Sequence, residues 1–142
     1  MTELCHYKGT KATFDEKSTI LWIGVSECPT KEDIDHMWTT VSTFVRNYPE
    51  ELIIHIEHIL TDTLDSLPVP TMMHILNIVA KEDLKLQCII FQARQIDEKV
   101  NIASGLFGTL NPSLKLKVCD AVTFRTVLDK VERRRQKKLN SA

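Results

Sequence analysis

Two kinds of hydrophobic spacing alternate along this chain, and the alternation restricts the fold more than any other feature of the sequence. Segments whose apolar residues form short runs or recur at every second position are typical of strands, whereas three- and four-residue steps are typical of helices. The two kinds follow one another in the order β-β-α-β-α-β-α-β-α, without an internal repeat or a low-complexity segment. The 142 residues therefore predict one compact α/β domain.

The predicted elements have recognisable boundaries. The first two strands are KATF and STILWIGV, and the segment TKED, beginning at Thr30, has the form of a capping box that opens the first helix. DEKVNIAS predicts a short third helix that ends with Gly105 at its C-terminal cap. Asp120 is positioned to cap the last helix, and the remaining strands are LIIHIEHI, CIIFQAR and LKLKV.

Two of these strands alternate apolar and polar residues, which indicates that the two faces of the sheet differ. Lys115 and Lys117 point away from the apolar side of their strand, and His55 and Glu57 do the same in theirs. We therefore expect one partly solvent-exposed face, with helices packed mainly on the other. Because crossovers between parallel strands are right-handed, helices on one face require strands that advance in one direction. The prediction is a one-sided βα superhelix with a mainly parallel sheet, an N-terminal antiparallel strand and four helices.

Several classes of function are disfavoured by features that the sequence lacks. Its four glycines are scattered, so neither of the glycine motifs that cradle phosphate is present. A net charge of −1 argues against a surface built for nucleic acid. No segment reaches the ~20 apolar residues of a membrane span. The N-terminus has no signal-peptide core, and we therefore expect a cytoplasmic protein.

Neither the histidines nor the cysteines predict a chemical site. Strand alternation places His55 and Glu57 on one face and His58 on the other, so the three do not converge on a metal. Cys88 and Cys119 lie in or beside apolar runs, where a free cysteine acts as a small hydrophobe. A G-x-S-x-G nucleophile motif is also missing. We predict no bound metal, no cofactor and no catalysis.

The strongest run of charge lies at the C-terminal end, in residues 132–142, after a domain core of about residues 11–131. Cations at the C-terminal end of a helix complement its dipole, by ~0.3–1 kcal/mol each when exposed. We expect this basic tail to be a solvated helix end. Weak, salt-sensitive contact with nucleic acid or an anionic membrane is the lesser alternative.

Three stretches of the chain, spread over residues 11–131, together resemble one known family. TILWIGV, a helix and LIIHIEHI parallel its second strand, first helix and third strand, and VNIASGLFGTL resembles its short third helix. KVCDAVTFRTVLDKV is similar to its last strand and terminal helix. The family is the STAS domain, found in bacterial anti-sigma-factor antagonists and on sulfate transporters. The resemblance implies a non-catalytic module for protein interaction or regulation.

The segment TDTLDSLPVPT, residues 61–71, falls where the STAS family carries its phosphorylation switch. DSLP, beginning at Asp65, matches the family's Asp-Ser-x-Gly pattern except that proline replaces glycine. The resemblance therefore implies a degenerate phosphorylation site at Ser66. Thr71 is a weaker candidate near the start of the next helix, where a phosphate meets unpaired N–H groups. In the alternative, both hydroxyls satisfy backbone groups of the loop and helix cap.

The resulting hypothesis is a module that binds a protein partner through residues 61–71 and the helix that follows them. We predict that contact or regulation involves Asp65, Ser66, Thr71, His74 and Asn77. A second copy of the chain would also cover the exposed sheet face, so a homodimer is an alternative. The alternative function is a small carrier or sensor of a lipophilic ligand, since the CRAL-TRIO domain has a similar βα layout.

Overall fold

Six strands and four helices make up the described part of the chain. A computed structural model describes residues 1–26, 29–59, 68–81, 84–94, 96–112 and 115–141. The strands are β1 (Thr2–Tyr7), β2 (Thr10–Asp15), β3 (Ile20–Ser26), β4 (Leu52–Ile59), β5 (Leu86–Gln92) and β6 (Leu116–Cys119). The helices are α1 (Lys31–Asn47), α2 (Val69–Lys81), α3 (Glu98–Leu110) and α4 (Phe124–Ser141).

The strands form one sheet in which spatial order follows sequence order, from β1 to β6. β1, β2 and β3 pair antiparallel, and β3 to β6 pair parallel. This confirms the predicted α/β class, with its mainly parallel sheet, antiparallel N-terminal part and four helices. β1 is an addition to the predicted elements, because its sequence TELCHY has no clear alternation and none of its residues is fully buried.

Helices α1, α2 and α3 each connect two neighbouring parallel strands. Since the strands advance in one direction and such crossovers are right-handed, all three helices pack on the same face of the sheet. The main hydrophobic core lies between this face and the helices. It includes Leu21, Ile54 and Ile89 of the sheet, and Met37 and Phe107 of the helices.

Helix α4 packs on the opposite face, which we expected to be partly exposed to solvent. Leu128 and Val131 of α4 form a second core there with Ile53 and Cys88. Lys115 stays exposed at the margin of this face. The apolar stripe of α4 must pack against the protein to be buried. Because α1, α2 and α3 already cover one face of the sheet, α4 packs on the opposite face.

Residues 132–141 continue α4 and are fixed to the sheet by one arginine. Arg135 Nε donates a hydrogen bond to Gln87 Oε1 at 2.8 Å. Its Nη1 and Nη2 donate to the backbone carbonyls of Ser18 and Glu51 at 2.7 and 3.1 Å. Part of the sequence that was expected to be a solvated basic tail is therefore a packing contact at the N-terminal ends of β3, β4 and β5.

Helix α1 begins as its sequence predicts, whereas α3 continues beyond its predicted end. Thr30 Oγ1 accepts from the Asp33 N–H, and Asp33 Oδ2 accepts from the Thr30 N–H, both at 3.2 Å, which confirms the capping box. The predicted C-terminal cap at Gly105 is wrong, because α3 passes through it to Leu110. Phe107 is fully buried. That burial contributes ~1.5–3 kcal/mol, more than the ~1 kcal/mol that a helical glycine costs.

Candidate functional site

Two of the five predicted site residues, Asp65 and Ser66, lie outside the described residues, which resume at Pro68. Pro70 occupies the first turn of α2, where a fixed φ angle and a missing N–H are tolerated. Thr71 follows it and is half-buried. Thr71 therefore belongs to the first turn of the helix, close to the N–H groups that a helix leaves unpaired.

The other two predicted residues lie further along α2 and differ in their surroundings. His74 Nε2 is 2.8 Å from Asp35 Oδ1 on α1, and the His74 side chain is 20% exposed. Asn77, by contrast, is exposed. His74 therefore joins α2 to α1 and has little surface left for a partner, whereas Asn77 presents its amide to solvent.

A stripe of exposed apolar side chains runs along α3, and the sequence analysis did not single it out. Ile102, Leu106 and Leu110, hereafter the α3 stripe, follow one another at four-residue steps and are 45%, 48% and 63% exposed. The buried side of the same helix includes Val100 and Phe107. By helical spacing alone, the apolar residues on both sides of α3 belong to one broad stripe. Only the packing of the helix distinguishes the exposed residues from the buried ones.

The α3 stripe points away from α2. Ser104 lines a small cavity with Met72 and Leu76, so its side of α3 faces α2. Ile102 and Leu106 are each two positions from Ser104, which places them about 160° around the helix from it. Leu116 and Val118 of β6 line the same cavity as Ser104, so the α3 stripe lies on the side of α3 away from both α2 and β6.

The segment that carries the α3 stripe has no charged side chain and includes two exposed glycines. Residues 101–110 contain no Asp, Glu, Lys or Arg. Gly105 and Gly108 adjoin open space, where a methyl group would meet no neighbouring atom within 4 Å. A ridge of exposed apolar side chains is a surface on which another helix packs.

The cavity between the helices and the sheet is too small for the lipophilic-carrier alternative. The cavity between α2, α3 and the sheet, lined by Met72, Phe91 and Val118 among others, has a volume of about 10 Å³. That is room for roughly one water molecule. Small-molecule pockets typically measure ~300–1,000 Å³.

His55 forms a buried polar cluster under α4. Its Nε2 lies 2.9 Å from Gln92 Oε1, and Gln92 Nε2 lies 3.5 Å from Glu57 Oε1. The rings of Trp22 and Phe124 enclose it, at centroid distances of 4.4 and 4.8 Å. Burial lowers the pKa of His55 to about 4. The imidazole is therefore neutral at physiological pH, and it donates to the glutamine from Nε2.

The remaining histidine and cysteine predictions concern metal binding and thiol reactivity. His58 is buried with its Nε2 unpaired, on the face opposite to His55. In the ranges covered by the structure, no three His, Cys, Asp or Glu side chains are grouped to hold a metal.

Cys88 and Cys119 are buried, and burial raises the pKa of each thiol to about 11. Both thiols are protonated at neutral pH, which fits the predicted structural role.

An inference about function depends on the surface of the chain itself. Comparison of the chain with protein-family models, with curated proteins and with solved structures finds no match. Of the helices described, none combines the length and apolar character needed to cross a membrane.

Proposed function

We propose that the protein is a non-catalytic interaction module of STAS type that binds a protein partner. The α3 stripe is the observation that carries this proposal, because it exposes three large apolar side chains on one side of one helix. Contiguous exposed apolar surface on a globular protein marks an interaction site. The α3 stripe lies on a helix that is packed against the sheet, and this fixed position favours recognition of a defined partner.

Helix α2 extends the proposed contact region. Packed neighbouring helices have axes ~8–10 Å apart, and a standard interface buries about 800 Å² on each protein. A partner centred on the α3 stripe therefore also reaches Asn77, which contributes to a polar rim around an apolar centre. In this arrangement His74, held by Asp35, positions α2 instead of contacting the partner.

The chemistry of the surface defines the partner. Residues 101–110 carry no charged side chain, so ion pairs with a partner are confined to the start of the helix, where Glu98 and Lys99 are exposed. Three large apolar side chains at four-residue steps form a ridge against which another helix packs. We expect the partner to contribute an amphipathic helix whose contacting side is apolar and uncharged.

Residues 61–71 supply the proposed regulation, through Asp65, Ser66 and Thr71. Thr71 lies in the first turn of α2, so a phosphate on its hydroxyl would lie near a helix N-terminus. A phosphate adds a charge of about −1.5 to −2. An apolar partner has nothing to neutralise that charge, so phosphorylation is expected to weaken binding.

The test compares two charge-introducing variants. Leu106→Asp places a carboxylate in the α3 stripe, and Val122→Asp places one at a position that is 87% exposed in the turn before α4. We expect a protein retained from source-cell lysate by the wild type to be lost with Leu106→Asp and kept with Val122→Asp. A photo-crosslinker at position 109, beside the α3 stripe, should then attach to an apolar helix of that protein.

Two further results decide between the proposal and its rivals. Ser66→Asp should reduce capture of the same protein, and unchanged capture would remove Ser66 from the mechanism. Light scattering of the purified chain measures its oligomeric state. A wild-type dimer that Leu106→Asp converts to a monomer would show that a second copy covers the α3 stripe, and would overturn the proposal of a different protein partner.

A further inference from the structure

A groove between β6 and α4, on the sheet face opposite α1–α3, is lined by four cations. Lys115 and Lys117 line it from the β6 segment, and Arg134 and Lys138 line it from α4. Its volume is about 210 Å³. This groove is separate from the α3 stripe and plays no part in the proposed protein contact.

The spacing of the four cations explains how the fold brings them together. Lys115 and Lys117 are two residues apart in an extended segment, so both side chains lie on one side of it. Arg134 and Lys138 are four residues apart in a helix and are likewise neighbours on one side. Packing α4 over this face sets the two pairs around one groove. Like charges close together repel, which is unfavourable unless an anion compensates them.

The protein itself supplies little compensation. Lys138 Nζ lies 3.5 Å from a carboxylate oxygen of Glu51, which is the one acidic residue in the groove lining. Among the described residues, no carboxylate forms an ion pair with Lys115, Lys117 or Arg134. Three cations therefore face the groove without a counter-charge from the described part of the chain.

The rest of the groove lining is ordered and chemically inert. Gln87 donates to the Val131 carbonyl at 3.2 Å and accepts from Arg135 Nε at 2.8 Å, so its orientation is fixed. Burial raises the pKa of the Cys88 thiol to about 11, and the positive charge of Lys117 offsets this only in part. The groove thus combines a fixed lining that carries no nucleophile with cationic side chains at its margin.

We propose that this groove binds a compact anion that carries one or two phosphate groups. Lys and Arg side chains form strong charge-assisted hydrogen bonds to phosphate oxygens. The volume is below the roughly 300 Å³ at which pockets for larger organic ligands begin. A phosphate group fits this space. The groove acts as a binding site and not as a catalytic centre.

Titration calorimetry with pyrophosphate at low ionic strength tests the proposal. We expect saturable one-to-one binding by the wild type, weakened about tenfold by Lys117→Gln and by Arg134→Gln, since each removes one charge-assisted bond. Arg125→Gln removes the same charge from an exposed position on the opposite side of α4, outside the groove, and should change the affinity little. Thermal unfolding of each variant shows whether the fold is retained.

Three outcomes would overturn the proposal. One is the absence of pyrophosphate binding by the wild type. Another is an equal loss of affinity in Arg125→Gln, which would assign the binding to net charge and not to the groove. The third is binding of a single-stranded oligonucleotide that pyrophosphate does not displace, which would show that the cations contact a nucleic-acid backbone along α4.

Discussion

The carbonyl oxygen of Gly9 accepts a hydrogen bond from the Ser26 N–H at 2.7 Å, which joins the turn between β1 and β2 to the end of β3. The two backbones approach so closely that a Cβ atom on residue 9 would collide with the carbonyl oxygen of Ser26. The contact closes the antiparallel part of the sheet at the end where the parallel strands finish. Glycine is thus required at position 9 by the neighbouring backbone.

Gly9→Ala is therefore expected to destabilise the protein. The added methyl group meets backbone atoms, which yield less readily than a side chain does, and the cost should be about 1–3 kcal/mol. Urea unfolding followed by circular dichroism measures the change in the free energy of unfolding.

Gly105→Ala is the matched control and should have the opposite effect. A methyl group at position 105 meets nothing within 4 Å, and the position lies inside α3. Replacing a helical glycine by alanine stabilises by about 0.5–1 kcal/mol. Equal losses in the two variants would show that the collision at Gly9 is not the cause of its effect.

Arg135→Ala should loosen the C-terminal half of α4. The guanidinium makes one hydrogen bond to a side chain and two to backbone carbonyls. Hydrogen bonds from a charged group contribute ~1.5–3 kcal/mol, and we expect a loss of free energy of unfolding in that range. Arg133→Ala removes an exposed arginine from the same helix and should stay within ~0.5 kcal/mol of the wild type.

A loss in Arg135→Ala that is no larger than the loss in Arg133→Ala would mean that residues 132–141 act as a solvated tail. Protection of the α4 amides from hydrogen exchange offers a second readout. It should fall along the helix toward its C-terminus in Arg135→Ala and stay unchanged in Arg133→Ala.

The pair formed by His74 and Asp35 should contribute little to stability. Asp35 is 57% exposed, and solvent screens such a pair. A double-mutant cycle with His74→Ala and Asp35→Ala is expected to give a coupling of ~0.2–1 kcal/mol. A coupling well above 1 kcal/mol would show that the α1–α2 contact depends on this pair and not on the apolar core beneath it.

The fold class could be predicted because local patterns and global packing agree in most of the chain. The capping box at Thr30 and the apolar steps of α1 are local signals, and the one-directional sheet follows from crossover handedness. The side on which α4 packs could not be predicted, because Leu128 and Val131 indicate a buried stripe without naming the surface that covers it. The role of Arg135 was hidden for a similar reason, since its partner Ser18 is 117 residues away.

The candidate surfaces were less accessible to sequence reasoning. Ile102 and Leu106 have the same residue types and spacing as core positions, and only their direction, away from α2, separates them from the core. The cationic groove combines a strand pair, of which Lys117 is part, with a helix pair that includes Arg134. In the sequence, each pair alone is typical of a solvent-exposed charged segment. Their convergence depends on the packing of α4, which no local pattern encodes.

Lowering the pH should destabilise the protein through His55, which is 1% exposed and whose pKa burial lowers to about 4. The unfolded chain takes up this proton near pH ~6.5, whereas the folded chain takes it up only near its lowered pKa. The unfolded state thus binds more protons between these values, and about 2.5 kcal/mol of stability should be lost between pH ~7.5 and ~4.5. Burial lowers the pKa of His58 as well, so it adds a loss of the same sign. Urea unfolding at several pH values should show a shallower pH dependence for His55→Gln. A slope equal to the wild type's would mean that His55 takes up its proton as readily in the folded protein as in the unfolded chain.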